Sequence, residues 1–475
     1  MSPQLIRVFL LAGVALFSRR IAWAAESGAA PTDAYLDQTR ARWEQVSRQI
    51  WEYAETALQE KKSSQFLADL LAKEGFKVQR GVGLPTAFVA TAGSGSPVIA
   101  VLAEYDALPE LSQKGGEARK DPAVKGAPGH GCGHNLLGTA AVAAGVAANK
   151  IRQEKKLPGT IQVFGTPAEE MLIGKTFMLN AGAFKNTDIA LSWHPGDKNE
   201  LSVGRRLALT ATEVEFFGKT SHAAASPWLG RSALDAMELF EHAMSLMREH
   251  ILPSARIHRV IKNGGAVANI IPDYSKVQVW LRDVNGKNVN DMIARMRKAA
   301  DGAAMATETQ AKVTVLASVR EPNSNEVVGR LMQKELERVG PPRWDERDIA
   351  FARQVQKELG LEEAGLSSEI TPYGIHGSTA SSDIGEVSAA VPLAELYVAA
   401  VPLGTALHHW AATSCSAHPL GVKGMLVAEK VLGASIIDLL ADPNAVAAAK
   451  AEFAKSTQGK PWVNPLPPDA KAAVF

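Results

Sequence analysis

Cys132 and His134 are separated by one glycine, a spacing that lets a thiolate and an imidazole reach the same metal ion. In isolation, this tripeptide is more typical of a buried thiol beside an ordinary histidine. The adjacent carboxylates Glu169 and Glu170 are ambiguous in the same way, because charged pairs are common in solvated loops. At the end of a strand, however, one such carboxylate can bind a metal while its neighbour acts as a general base toward water. His194 is a further candidate ligand, although a lone histidine is more often an ordinary loop residue.

The predicted secondary structure explains how these residues could meet. Strand-like runs at 98–103, 160–164 and 189–192 each end directly before a polar segment, and an Ala-rich helix is predicted at 136–149. Strands that alternate with helices predict an α/β fold with an open, mostly parallel sheet flanked by helices. Ligands of such sheets bind outside the carboxyl ends of the strands. Residues suited to metal binding and acid–base catalysis are therefore expected at one rim of the sheet. Several such residues rarely follow neighbouring strands by chance, so the pattern favours a functional site.

The predicted order of strands and helices changes between residues 205 and 321. The elements predicted there follow the order β-α-β-β-α-β, which is typical of the ferredoxin-like split unit. We therefore predict a catalytic domain in two parts, 33–204 and 326–440, with a small α+β domain inserted between them. The segment 442–475, rich in Ala, Lys and Pro, is assigned only as a C-terminal tail.

The composition is that of a globular protein with two or three domains. The 475 residues are 46% apolar and 21% charged, which argues against disorder, collagen or coiled coil as a description of the whole. Because 51 Lys and Arg face 50 Asp and Glu, no basic surface for nucleic acid is expected. With only Cys132 and Cys415, a disulfide scaffold is excluded, and a single disulfide between these two is the alternative to a metal-binding Cys132.

The amino terminus is predicted to be a signal peptide over residues 1–24. Arg7 precedes an apolar run at 8–17 that is too short to span a bilayer, and Ala22 and Ala24 suit a signal peptidase. A pair of arginines at 19–20 follows the apolar run instead of preceding it, so an uncleaved membrane anchor is the alternative. We expect an exported protein, periplasmic or secreted.

A series of motifs resembles the dinuclear metallo-amidohydrolases of the aminoacylase, hippurate hydrolase and carboxypeptidase G type. The motifs are EYDALP at 104–109, GHGCGHNLLG at 129–138, GTPAEE at 165–170, SWHPG at 192–196, SHAAASP at 221–227 and GRSALDA at 230–236. The resemblance covers nearly all of residues 33–440. It implies two divalent metal ions per subunit, Zn or Mn, and an inserted domain that serves as lid and dimerisation domain. It also implies a homodimer through that domain and, in some relatives, a second kind of subunit.

The resemblance further implies roles for individual residues. The metal ligands that it implies are Cys132, His134, Glu170, His194 and His408. Glu169 matches the general acid/base. The choice of His408 rests on the motif G-x-x-L-H at 404–408, and His409 follows directly. Asn135 stands where most hippurate-hydrolase-like relatives have Asp, which argues against a charge-relay role at that position.

Residues that contact the substrate are implied in the inserted domain and in one loop. His222 matches a histidine that reaches the active site of the partner and holds the developing oxyanion. Asn269 matches a contact to the substrate carbonyl, and Arg282 a contact to its α-carboxylate, which suits a planar guanidinium. A loop histidine and an exposed edge-strand arginine are the ordinary alternatives. The Gly/Ser-rich loop that relatives place beside the substrate contains Gly377, Ser378, Thr379 and Asp383, and it is equally consistent with a simple turn.

We therefore expect metal-assisted hydrolysis of the amide bond of a small N-acyl or N-aroyl amino acid, such as an aroyl-glutamate. Glu169 is expected to take a proton from water and return it to the leaving amine. A dipeptidase or aminopeptidase of the same family would need an acidic pocket for a free amine. An exported solute-binding protein would give the metal-type residues no reason to share one cleft. A serine hydrolase would need a G-x-S-x-G motif, which the sequence lacks.

Overall fold

Two β-sheets, each covered by helices, organise the chain. The computed structural model describes residues 29–203, 206–376 and 380–473. The predicted signal peptide at 1–24 and the predicted substrate residues Gly377 and Ser378 lie outside these ranges. Within them, no helix is both long and apolar enough to span a bilayer.

The larger sheet is mostly parallel. Its strands are β1 (Lys77–Arg80), β2 (Phe88–Ser94), β3 (Val98–Ala103), β4 (Gly159–Gly165), β5 (Ile189–Gly196), β6 (Glu200–Ser202) and β11 (Leu393–Ala399). They are arranged in the order β1-β2-β4-β3-β5-β11-β6. The central strands β4, β3, β5 and β11 run parallel, and the outer strands pair antiparallel. The apolar run VIAVLA of β3 suits a strand that is covered on both faces.

Helices cover this sheet and bring the candidate residues to its rim. They are α1 (Ala29–Tyr53), α2 (Lys61–Lys73), α3 (His134–Glu154), α4 (Gly174–Asn180), α7 (Glu326–Val339), α8 (Glu346–Glu358), α9 (Ile384–Ser388), α10 (Trp410–Cys415), α11 (Pro419–Ala441) and α12 (Pro443–Ser456). The Ala-rich α3 is buried along most of its length and contacts α1, α11 and the sheet. Because small side chains allow this close approach, the start of α3 is held firmly against the sheet.

The smaller sheet belongs to the inserted domain. This domain consists of β7 (Ala208–Phe217), α5 (Ala233–Met247), β8 (Arg256–Asn263), β9 (Tyr274–Asp283), α6 (Gly286–Ala306) and β10 (Gln310–Val319). Its strands are all antiparallel, in the order β10-β7-β9-β8. A separate core that includes Phe216, Phe240 and Met296 joins its helices to the sheet. The predicted fold class, an α/β sheet with a ferredoxin-like insertion, is confirmed.

Two segments differ from the sequence prediction. The pattern predicts a first helix over 40–58, but α1 ends at Tyr53, because Ala54 and Leu58 adopt positive φ angles of 41° and 66°. The C-terminal segment, for which no element is predicted, contains α12. Asp442 caps this helix and Pro443 occupies its first turn, so a local start signal was present in the sequence.

Candidate metal centre

The carboxyl ends of the parallel strands meet at one rim, and the polar segments gather there. Glu104 and Asp106 follow β3, the carboxylate pair at 169–170 follows β4, and His194 lies within β5. Tyr397 of β11 is paired with His194 in the sheet, and their rings stack with centroids 5.4 Å apart. The structure therefore brings together residues that are far apart in the sequence.

A tight turn presents Cys132 and His134 to this rim. Gly133, which lies between them, has a φ of 76°, a conformation that residues with a Cβ rarely adopt. A Cβ at this position would also lie 2.7 Å from Cγ of Pro195. The glycine of the Cys-Gly-His motif is therefore required by the backbone, and the next residue, His134, begins α3.

Cys132 and His194 contact each other. The Sγ atom of Cys132 lies 3.4 Å from Nε2 of His194, whose Nδ1–H donates to the carbonyl oxygen of Pro195 at 2.8 Å. This hydrogen bond leaves Nε2 as the nitrogen with a free lone pair. Burial, and after it the charge of Arg206, lowers the pKa of His194 to about 3, so the ring is neutral, as a metal ligand must be.

Asp106 orients both His134 and the segment that carries Glu170. One of its oxygens, Oδ1, accepts from Nδ1 of His134 at 2.9 Å, and Oδ2 accepts the backbone N–H of Glu170 at 2.9 Å. The Nε2 atom of His134 consequently lies 3.3 Å from Oε2 of Glu104. A single carboxylate therefore orients one candidate ligand at the start of α3 and another in the segment after β4.

The paired carboxylates lie in a short 3₁₀ turn, Glu169–Met171, that is bounded by two left-handed residues. Ala168 and Leu172 have φ angles of 57° and 60°. The Oε2 atom of Glu170 lies 3.2 Å from Nε2 of His408, whereas Oε2 of Glu169 lies 3.9 Å from Nε2 of His134. Oε1 of Glu170 also lies 4.0 Å from Nδ1 of His134, so the contact with His408 is what distinguishes the two carboxylates.

His408 and His409 have different surroundings. His408, with a φ of 58°, lines the same cavity as Glu170. His409 is the N-cap of α10, and its Nδ1 accepts the backbone N–H of Ala411 at 3.4 Å. Of the two, His408 is the histidine placed to bind a metal.

The donor atoms fit a site for two ions. Two groups of donors share Cys132, and within each group all atoms lie within 4.8 Å of one another: Cys132, His134 and His194 form one, and Cys132, Glu170 and His408 form the other. The buried atoms His134 Nε2 and Glu170 Oε1 have no hydrogen-bond partner in the described part of the chain. Unpaired buried polar atoms are costly unless another group is bound there, and sulfur, imidazole and carboxylate donors suit a zinc-type ion.

Both cysteines are free thiols. Cys132 lies in the candidate centre, and Cys415 is fully buried in α10 beside Ala412 and Leu420. The alternative of a disulfide between the two cysteines is therefore wrong.

A buried lysine lies beside the acidic residues. The Nζ atom of Lys175 contacts Oε1 of Glu104 at 2.7 Å and Oδ1 of Asp383 at 2.5 Å. Burial opposes ionisation of Glu104, but Lys175 and then His134 outweigh it and lower its pKa to about 2. Burial, and after it the charge of Glu104, raises the pKa of Glu169 to about 8. Glu169 is therefore one of the carboxyl groups in this cluster whose pKa is raised toward neutral pH.

A cavity of about 620 Å³ connects this centre with the inserted domain. Trp280 and Arg282 of β9 line it, and Nη1 of Arg282 donates to Oγ of Ser381 at 3.2 Å. The buried Nε of Arg282 has no partner among the residues described. Arg206 lines the same cavity, but it is already paired with both carboxylate oxygens of Glu395. Arg282 is therefore the better-placed arginine for an anionic ligand.

His222 is predicted to act in the partner's site, and Asp383 is the residue that is placed differently from the sequence prediction. His222 and Asn269 are exposed, lie on adjoining loops of the inserted domain and do not line the cavity. Asp383, predicted beside the substrate, is buried and instead accepts both Nζ and the backbone N–H of Lys175.

Sequence reasoning did not single out Lys175, Arg206 or Tyr397. A lysine or arginine in a sequence is most often solvated, so only the fold reveals that these two are buried and paired. Asp106 carried a recognisable signal, because it directly follows a predicted strand.

The chain is similar to known proteins in both sequence and fold. The profile described as peptidase family M20/M25/M40 matches residues 100–464. One of the p-aminobenzoyl-glutamate hydrolase subunits from Escherichia coli is 36% identical over 464 residues, which cover 92% of this chain and 96% of the relative. Xaa-Arg dipeptidase from Mus musculus is 30% identical, with 90% and 93% covered. A dinuclear metal-binding peptidase of the M20 family from Bacillus subtilis shares the fold, with a TM-score of 0.59 at 17% identity over 85% of this chain and 99% of that structure.

These matches confirm the family resemblance found in the motifs. The family profile spans most of the chain, and the candidate metal centre lies within the matched residues. The chain is therefore a hydrolase of peptidase family M20/M25/M40.

Proposed function

We propose that this hydrolase cleaves the amide bond of N-acyl or N-aroyl amino acids, with p-aminobenzoyl-glutamate as the first substrate to test. The cavity carries the proposal, because it joins the carboxylates at 169–170 to the incompletely paired Arg282. A substrate with an amide and an α-carboxylate can place one group at each of these positions. The relative at 36% identity is named for hydrolysis of p-aminobenzoyl-glutamate, which supports this choice.

Five residues would hold two divalent ions. Cys132, His134 and His194 would supply one group of donors, and Cys132, Glu170 and His408 would supply the other. When bound, such ions polarise a carbonyl group and lower the pKa of water toward ~7. Zinc and manganese are the ions that we propose, and the sulfur donor favours zinc.

Glu169 would move the proton. Because it lines the cavity beside the donor groups, it can accept a proton from the attacking water and pass it to the leaving nitrogen. Glu104 would not compete for that proton, because the contact with Lys175 keeps it ionised.

Arg282 would recognise the α-carboxylate, since a guanidinium can donate two parallel hydrogen bonds to it. Its guanidinium carbon lies 5.4 Å from the ring centroid of Trp280. Trp280, Leu108 and Leu172 line the same cavity and offer apolar surface to an acyl or aroyl group.

The proposal is tested by metal analysis of the purified chain combined with a hydrolysis screen. The panel contains p-aminobenzoyl-glutamate, hippurate, N-acetyl amino acids and unblocked dipeptides. We expect about two equivalents of metal and preferential turnover of N-blocked substrates, with loss of activity after chelation. A metal-loaded protein that turns over none of the N-blocked compounds would contradict the proposal.

A dipeptidase is the second candidate, because the relative at 30% identity is an Xaa-Arg dipeptidase. A free substrate amine would need its own carboxylate, whereas Glu169 and Glu170 are already engaged in the proposed centre. Faster turnover of unblocked Xaa-Arg dipeptides than of their N-acetyl forms would favour this second function.

We also propose a homodimer formed through the inserted domain. Its edge strand β8 exposes Val260 and Ile261, and its loops expose Trp228 and Ile270. Apolar side chains on an unpaired edge favour contact with another chain. His222 lies beside Ile270 in a β-bridge, so such a dimer could bring it to the neighbour's cavity. Another p-aminobenzoyl-glutamate hydrolase subunit from Escherichia coli is 25% identical, so we also propose testing for a partner of a second kind by co-purification.

We propose that residues 1–24 are an export signal and that the mature protein is periplasmic or secreted. Mass spectrometry of the mature chain after expression with its native amino terminus tests it. A chain that begins after Ala24 supports export, and an intact amino terminus in the membrane fraction supports an anchor.

A further inference from the structure

A buried carboxylate outside the metal centre contacts the backbone directly before the general base. Glu60, the residue before α2, is fully buried. Its Oε1 accepts the backbone N–H of Ala168 at 2.8 Å, and its Oε2 accepts the hydroxyl of Thr86 at 3.0 Å. Glu60 is separated from the cavity-lining residues by this backbone, so it acts from behind the site.

Helix capping does not explain Glu60. The side chain makes no capping hydrogen bond to α2. The carboxylate of Glu55 instead accepts the N–H groups of Lys62 and Ser63, in the first turn of that helix, at 3.0 and 2.9 Å. The carboxylate of Glu60 therefore accepts a hydrogen bond from Ala168, which lies 108 residues further along the chain.

The segment that it serves is strained. Ala168 has a φ of 57° and a ψ of 37°, a left-handed conformation that is unfavourable for any residue with a Cβ. This conformation turns the chain out of β4 and into the 3₁₀ turn that carries Glu169 and Glu170. Strained residues persist only where surrounding contacts hold them, and the hydrogen bond from the Ala168 N–H is such a contact.

The same carboxylate is also connected, through hydrogen bonds, to the segment that contains Glu104 and Asp106. The carbonyl oxygen of Thr86 accepts the hydroxyl of Tyr105 at 2.6 Å, and Tyr105 stands between Glu104 and Asp106. Glu60 is therefore linked directly to the segment after β4 and, through Thr86 and Tyr105, to the segment after β3.

We propose that Glu60 is a positioning residue for hydrolysis, which holds Ala168 in its left-handed conformation and so aims Glu169 into the cavity. The inference rests on the proposed role of Glu169. Glu60 acts through the backbone and touches neither substrate nor metal.

The test compares steady-state kinetics, metal content and melting temperature of variants, using whichever N-acyl amino acid the wild-type protein hydrolyses. Glu60→Ala should lower kcat on the order of 100-fold, as a small displacement of a catalytic group does, with little change in KM or metal content. Glu60→Gln should stay within a few-fold of wild type, because its amide oxygen can accept the same N–H. Adding Ala168→Gly to Glu60→Ala should recover about tenfold in kcat, because glycine adopts positive φ freely.

Glu452→Ala is the matched control. Glu452 is a half-buried carboxylate away from the cavity that accepts the backbone N–H groups of Glu326 and Val327 at 2.7 and 2.9 Å. This variant should lower the melting temperature and leave kcat unchanged. It separates loss of stability from loss of positioning.

Two results would overturn the inference. One is a kcat of Glu60→Ala that falls no further than that of Glu452→Ala, and the other is an absence of recovery in the Ala168→Gly double variant. If Glu60→Ala does not fold, Glu60→Asp takes its place, because it keeps the charge but is too short to reach Ala168; unchanged kcat in that variant also contradicts positioning. Failure of the proposed function is seen separately, as an inactive wild-type protein.

Discussion

The Sγ atom of Cys132 lies 3.4 Å from Nε2 of His194, although the two residues come from different elements of the fold. Metal–sulfur and metal–nitrogen distances of about 2.0–2.3 Å allow both atoms to bind one ion at this separation. Both side chains are largely buried and line the cavity. This pair is the geometric core of the candidate centre.

The first prediction compares the two cysteines. Cys132→Ala should lose metal and activity, because it removes the donor shared by both groups of ligands. Cys415→Ala should leave both nearly unchanged, because Cys415 packs only in an apolar cluster. Metal content by elemental analysis and turnover under identical conditions provide the check. Equal metal loss in both variants would count against a ligand role for Cys132.

The second prediction separates the paired carboxylates. Glu169→Gln should lower turnover by about 10²–10⁴-fold and keep metal bound, because a general base is not itself a ligand. Glu170→Gln should instead reduce metal occupancy, since Glu170 lies 3.2 Å from His408. Metal content and kcat are measured for both. A reversed pattern would exchange the two roles.

The third prediction concerns the substrate carboxylate. A charge-assisted hydrogen bond is worth roughly 1.5–3 kcal/mol, so amidating the α-carboxylate should cost on the order of tenfold or more in kcat/KM. In Arg282→Gln, the acid and the amide should be hydrolysed at similar, low rates. The assignment fails if the wild-type protein hydrolyses both forms equally well.

The fourth prediction joins the inserted domain to catalysis. If His222 serves the neighbour's cavity, inactive His222→Ala and Glu169→Gln chains should restore activity when they are co-expressed. The mixed dimer then contains one site with both an intact Glu169 and an intact His222. Activity is measured after tandem-tag purification of the mixed species. Mixed dimers without activity would place His222 in the cavity of its own chain or outside catalysis.

The fifth prediction concerns stability and pH at a place remote from the centre. Burial, and after it the negative charge of Glu335, raises the pKa of Asp438 to about 7 from an ordinary value of 3.8. The native state therefore binds a proton more tightly than the unfolded chain, and this group makes the free energy of unfolding fall as pH rises from about 4 to 7.

Asp438→Asn removes the carboxyl group whose ionisation lowers the free energy of unfolding as the pH rises. The variant should be more stable than wild type at pH 8, on the order of 2 kcal/mol, and differ little at pH 4. Thermal melts of both proteins at the two pH values provide the check. A gain of the same size at both pH values would show that ionisation of Asp438 is not the cause.

The sequence predicts the parts of the site that obey local rules. The Cys-Gly-His spacing, the carboxylates at 169–170 and the strand ends that carry them are visible because strands and motifs are short-range patterns. His194 could be added for the same reason. The β-α-β-β-α-β order of the insertion is equally local, and the structure confirms it.

The remainder depends on contacts between distant segments. Nothing around Lys175 indicates that its ammonium is buried between Glu104 and Asp383, and nothing around Glu60 indicates its hydrogen bond to Ala168. The separation of His408 from His409 depends on a positive φ angle at one of them and on helix capping by the other. Such pairings exist only once the chain has folded.

Arg282 belongs to the inserted domain, whereas Ser381, to which it donates, belongs to the domain that carries the proposed ligands. The residue proposed to recognise the acid and the residues proposed to cleave the amide bond thus lie in different domains of the fold. Changes within β9 can alter which acids are accepted while the strand ends that build the metal centre stay as they are. In this chain, the proposed recognition of the acid and the proposed metal chemistry could therefore be altered separately.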